Sequence, residues 1–226
     1  MPGKKIVVNI DLISLYSYFA FVEFLPLIEK LKAHGVTVEI VPVFLSGIMG
    51  ASKNSPPWMV PAKRIYLSDD TRRSAARLGI PCNIPENFVT YTNDLLPLRA
   101  MHVLRANFPL SVYHAALAAM YAAFFSPPAP RNFNSPTVLK EILRSVDGVQ
   151  GRAEEVVKAA TGEDAKRALH EATNTAVKQG AFGAPWIVAT RDGKVEYFFG
   201  SDRLHQLYTF LDLPFTEATL LPPAKL

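Results

Sequence analysis

The chain has 226 residues, 49% hydrophobic and 19% charged, a composition that supports a substantial buried core. Its 24 basic and 20 acidic residues leave a net charge of +4 without a Lys/Arg block, which excludes the clustered positive charge of a nucleic-acid groove. The lone cysteine, Cys82, cannot form an internal disulfide and fits a reducing compartment, and five dispersed histidines give no metal-ligand spacing.

The N-terminal MPGKKIVVNID has basic residues but no apolar stretch ending in a cleavage site, so it reads as a first strand and not as a signal peptide. Residues 5–11 read as a strand rich in β-branched residues. They run into DLISLYSY, where Ser14 and Ser17 stand three apart at a helix start. Redox proteins of this layout carry two cysteines there. From Ser14 the apolar residues Phe19, Val22, Phe24, Leu27, Ile28 and Leu31 recur at helical spacing, and Gly35 ends the pattern. A second apolar run, VTVEIVPVFL at 36–45, completes a βαβ unit with parallel strands.

SGIMGASKNSPPWMVPAKR then reads as a Gly-, Ser- and Pro-rich loop. Helices are predicted at 61–78, 95–107, 111–125, 136–146, 151–160 and 163–179. The most apolar of them, HAALAAMYAAFF, is too short to span a bilayer. Ser135-Pro136 gives an N-cap with proline at the first helical position, Thr161 with Asp164 suggests a capping box, and Gly180 is a stop. Strands return at 186–190 and 194–199 around Arg191-Asp192-Gly193, a hairpin signal, before a last helix from about Asp202 to Leu211.

The order predicts an α/β protein: a thioredoxin-like βαβ…ββα core with a long all-helical insertion. Residues 1–60 and 180–226 would form the core domain and 61–179 the insertion. Three stretches then converge. Ser14 opens the first helix, where it is also a plain N-cap candidate. Gly180-Ala-Phe-Gly-Ala-Pro-Trp186 places Pro185 at a strand start, the usual setting of a cis peptide. Gly200-Ser201-Asp202-Arg203 stands at the mouth of the last helix, where amides and the Ser201 hydroxyl suit a carboxylate and Asp202 suits an ammonium.

With DLISLYSY, SGIMGASKNSPPWMVPAK, GAFGAP and FFGSDR in this order, the chain resembles the kappa-class glutathione transferases over nearly its whole length. That resemblance implies a dimeric thioredoxin-fold enzyme with Ser14 on the glutathione sulfur and Tyr16 beside it. It further implies glutathione contacts from Asn54, the Ala184-Pro185 turn, Ser201 and Asp202, with Lys63 near the site. Glutathione is then a co-substrate; no resident cofactor and no metal is implied. The other partner is a small hydrophobic electrophile, with glutathione peroxidase activity as a side reaction. Two residues depart from the family pattern: Leu15 replaces the usual proline, and Trp186 is bulkier than usual after the turn.

A serine cannot form the mixed disulfides of a cysteine, but its hydroxyl can donate to a thiolate brought in by a ligand. A free thiol near pKa 8.5 is only about 3% ionised at pH 7. A hydrogen bond to a charged group supplies roughly 1.5–3 kcal/mol, about one to two pKa units, and the helix dipole adds somewhat less than one. Competing readings are a serine hydrolase, for which the G-x-S-x-G elbow is missing, a glutathione-dependent isomerase of the 2-hydroxychromene-2-carboxylate type, and a non-catalytic interaction module. Disulfide exchange lacks its cysteines. A terminal Ala224-Lys225-Leu226 is a close variant of the peroxisomal Ser-Lys-Leu signal, with mitochondrion or cytosol as alternatives.

Overall fold

The computed structural model describes residues 3–83, 93–126 and 131–216; the Ala224-Lys225-Leu226 terminus lies outside the described residues. The two N-terminal apolar runs become β1 (Lys4–Ile10) and β2 (Val36–Pro42), paired in parallel with Lys4 opposite Val36. β3 (Trp186–Arg191) pairs antiparallel with β1, and β4 (Lys194–Phe199) follows through a two-residue turn. Asp192 and Gly193 take positive φ values of 50° and 79°, the left-handed geometry of a tight hairpin turn. The sheet order is β2-β1-β3-β4, the mixed arrangement expected of the βαβ…ββα core.

The helix after β1 is divided. α1 (Leu15–Phe24) passes into a 3-10 turn at Leu25–Leu27 and then α2 (Ile28–Ala33). Pro26 lacks the N–H that a continuous helix needs, so apolar spacing alone overestimated its length. The stretch expected to be a loop after β2 contains α3 (Leu45–Ser52), which ends at Lys53 in the left-handed region. Its start is held by tertiary bonds: Phe44 N–H donates to Thr173 Oγ1 at 3.0 Å and Leu45 N–H to Asp11 Oδ2 at 2.8 Å. Those partners are remote in sequence, so local composition did not reveal the helix.

The central helices are α4 (Pro61–Leu78), α5 (Leu95–Asn107), α6 (Leu110–Phe125), α7 (Pro136–Arg144), α8 (Ala153–Ala160) and α9 (Glu163–Lys178). Ser135 occupies the N-cap position of α7, yet its side chain makes no cap bond. The expected capping box on α9 does not form. Gly162 is the N-cap, and the Thr161 hydroxyl donates back to the Lys158 carbonyl at 2.7 Å. The last helix, α10 (Leu204–Phe210), starts after Arg203, so Ser201 and Asp202 lie before its cap. Among the described residues, no helix is long and apolar enough to cross a membrane.

Alternation along β1 and β3 sends side chains to two cores. Ile6, Val8, Ile10, Ile187 and Ala189 join Phe19, Phe24, Leu98, Leu104, Tyr121 and Phe125 in one large cluster. Tyr18 stacks on Tyr121 and Phe125 there, with centroids 4.8 and 5.5 Å away. Trp186 and Val188 face the other way, against Val43, Ile48, Ala176 and Ala181 beneath α3 and α9. Polar ties register the central helices on β2: Tyr113 donates to the Ile40 carbonyl at 3.0 Å, and His102 Nε2 meets the Pro42 carbonyl at 2.9 Å.

Candidate active site

The turn between β1 and α1 is built around Asp11. Its fully buried carboxylate accepts the N–H of Ile13 at 3.0 Å and of Ser14 at 3.1 Å on Oδ1, and that of Leu45 on Oδ2. The Asp11 carbonyl in turn accepts the Tyr121 hydroxyl at 3.1 Å. Burial pushes the Asp11 carboxyl up to about 6, against three amide donors that favour its charged form. Close by, Asp94 is completely buried. Burial first, then the Asp11 charge, raises Asp94 well above its ordinary value.

Ser14 is the N-cap of α1, with φ −82° and ψ 113°. Its Oγ accepts the Ser17 N–H at 3.2 Å and donates to the Ala184 carbonyl at 3.1 Å. The N-cap reading holds, and the same hydroxyl also reaches the Ala184-Pro185 turn. Ala184-Pro185 is cis, and Asn9 fixes the following carbonyl, that of Trp186, with a 2.9 Å bond. Ser17 is fully buried, its hydroxyl unpartnered among the described residues. Leu15, at the first helical position, is buried in the core, so apolar packing takes the place of proline's rigidity.

Asn54, Ser201 and Asp202 reach that turn by different routes, while no contact among the described residues ties Lys63 to it. Asn54 follows α3 and donates from Nδ2 to the Phe182 carbonyl at 2.7 Å, two residues before Ala184. Gly200, at φ 95°, donates its N–H to the Pro185 carbonyl at 3.3 Å, and this brings Ser201 and Asp202 to the same turn. Ser201 is buried, whereas Asp202 is exposed and pairs with Arg203 at 2.9 Å. Lys63 is exposed on the first turn of α4 and makes no hydrogen bond or ion pair among the described residues. Trp186 is buried under α3 and α9 and stacks on Tyr197 at 5.7 Å.

Tyr16 carries a partner that local sequence did not suggest. Its hydroxyl donates to Asp70 Oδ2 at 2.7 Å, and Tyr66 donates to Oδ1 of the same carboxylate at 3.2 Å. Burial, the Asp70 hydrogen bond and the charges of Asp70 and Asp202 all raise the Tyr16 phenol far above its ordinary range. It stays protonated. Asp11 and Asp70 are the two contributors missed from sequence; an acid three residues before a helix-opening serine was the available signal for the first. A groove of about 280 Å³ between α3, α5 and α9, lined by Phe44, Leu95, Arg99 and His170 among others, contains none of these residues.

A helix-opening hydroxyl set against a cis-proline turn is the layout of a thioredoxin-fold site, here without a dithiol of its own. The DsbA-like thioredoxin domain matches residues 5–212. The chain is 35% identical over 207 residues to glutathione S-transferase kappa 1 of Caenorhabditis elegans, covering 90% of this chain and 89% of that protein. It is 29% identical to the Homo sapiens glutathione S-transferase kappa 1, covering 87% and 86% of the two. Its fold is similar to that of a 2-hydroxychromene-2-carboxylate isomerase, with a TM-score of 0.69 at 20% identity over 92% of this chain and 94% of that one. The chain belongs to the DsbA-like thioredoxin family and, within it, to the kappa-class glutathione S-transferases.

Proposed function

We propose that this protein conjugates the thiolate of glutathione to small hydrophobic electrophiles. The observation that carries the reading is the 3.1 Å contact between the Ser14 hydroxyl and the Ala184 carbonyl of the cis-proline turn. It brings a hydroxyl donor at a helix N-terminus to the backbone edge that an extended peptide would pair with. Asp202 meets the γ-glutamyl ammonium, while Ser201 and the amides near it meet the adjacent carboxylate. Asn54 and Lys63 flank the far end of the tripeptide. On binding, the Ser14 proton turns from Ala184 to the sulfur, the thiol proton leaves to solvent, and the thiolate forms a C–S bond as the leaving group departs. In a peroxidase side reaction two glutathiones become a disulfide while a hydroperoxide is reduced to alcohol and water.

A homodimer accords with a half-exposed apolar row on the edge strand. Val195, Tyr197 and Phe199 alternate along β4 and are 45%, 46% and 43% exposed. Two measurements test the enzyme reading together: calorimetric titration with glutathione, and turnover of a chlorodinitrobenzene. Saturable binding with product formation is expected; the absence of both overturns it.

A further inference from the structure

We propose that Asp11 is a positioning residue, which holds the Ser14 turn and the α3 segment carrying Asn54 in the register that one glutathione molecule must span. The inference rests on the glutathione reading above. Asp11 itself touches no ligand position, because its side chain is wholly buried beneath the turn.

Its two carboxyl oxygens face different halves of the site. Oδ1 holds the amides of Ile13 and Ser14, and so fixes where the Ser14 hydroxyl points. Oδ2 holds the amide of Leu45, the first residue of α3. That helix leads through Lys53 to Asn54, whose amide N–H is bonded to the Met49 carbonyl at 3.0 Å and whose side chain is bonded to Phe182. Asn54 is thus carried rigidly by α3. The Phe44 side of the same helix start is held separately by Thr173, so Asp11 is the link specific to Ser14. Only a group with two acceptor oxygens can serve both amide sets; an asparagine would turn an NH2 toward one of them.

The link can be cut from either end. Asp11→Asn removes one acceptor. Leu45→Pro removes the N–H donor, at a position where proline fits: it is the first helical residue, and Phe44 before it is extended at φ −92° and ψ 105°. The second variant keeps the proposal testable if the first does not fold. Each folded variant is titrated calorimetrically with glutathione, alone and combined with Asn54→Ala. Each single change at 11 or 45 is expected to weaken glutathione binding about tenfold, and the Asn54→Ala penalty should shrink to less than about twofold in either background, as coupled sites require. Parent affinity in both variants, or losses that multiply with that of Asn54→Ala, would overturn the positioning role. Amide hydrogen exchange gives a readout independent of the ligand: Ser14 and Leu45 should both exchange faster in Asp11→Asn. If the parent binds no glutathione, the functional reading fails, while unchanged exchange at those two amides sinks the link itself.

Discussion

At the scale of single residues, the site turns on what the Ser14 proton does. It already makes a neutral bond to the Ala184 carbonyl, so donating to a thiolate exchanges one bond for a stronger one. The net gain is the difference between roughly 1.5–3 and 0.5–1.5 kcal/mol, about one pKa unit. Ser14→Ala should therefore raise the bound thiol pKa by about one unit and cut activity at neutral pH about tenfold. Thiolate absorbance near 240 nm as a function of pH checks this; an unmoved midpoint would assign the thiolate to the helix amides instead. Asp202→Asn should raise KM for glutathione and spare kcat, because the ammonium is charged equally before and during reaction. Tyr16 gives the contrasting expectation. With its hydroxyl bound to Asp70 and its phenol held protonated, Tyr16→Phe should leave the shape of the pH–rate profile unchanged; a lost limb would restore it as an acid or base. The placement of Ser14 at the start of α1, of Ala184-Pro185 before β3 and of Ser201 and Asp202 before α10 was legible, because each lies in a short motif at an element boundary. The Tyr16–Asp70 bond was not, since it joins residues 54 positions apart.

At the scale of elements, α3 best separates local from tertiary causes. Its sequence LSGIMGAS has two glycines and two serines, a poor intrinsic helix. Two amide bonds to remote acceptors start it, and Ile48 anchors it in the core on the α9 side. Local propensity therefore pointed to a loop, while the strands and the α4 to α9 helices were legible within a few residues. Thr173 is the test. Its hydroxyl accepts from Phe44 N–H and donates to the Leu169 carbonyl at 2.8 Å. Thr173→Val keeps the shape and leaves the partly buried Phe44 amide without an acceptor, a loss of about 1–3 kcal/mol. Urea unfolding should show a lower midpoint at unchanged slope. A midpoint equal to the parent's would mean that water replaces the hydroxyl and that packing alone seats α3.

For the molecule as a whole, the helices between the two halves of the sheet are part of its main core, and one buried histidine ties their stability to pH. His102 on α5 is almost wholly buried, and its Nε2 bonds to the Pro42 carbonyl at the end of β2. A carbonyl can only accept, so this nitrogen carries the proton of the neutral ring. Burial, and then the Arg105 charge, outweigh the Pro42 bond and lower the ring to about 4 from 6.5. The folded state thus binds the proton less readily than the unfolded chain. The stability tied to this group is fully present above about pH 6.5 and is lost as pH falls toward 4, amounting to about 3 kcal/mol. Asp11 works in the opposite sense: raised from 3.8 to about 6, its carboxyl favours the fold fully below about pH 3.8 and loses that contribution as pH rises through 6, and the raised Asp94 acts in the same direction. Comparing variants cancels those two. In His102→Gln the side-chain amide can still reach a carbonyl but does not titrate. The gap in unfolding free energy between parent and variant should narrow or reverse by about 3 kcal/mol between pH 7 and pH 4. Urea titrations of both proteins across that range measure it. A constant gap would show that water reaches His102 in the folded state and that the α5–β2 contact is open.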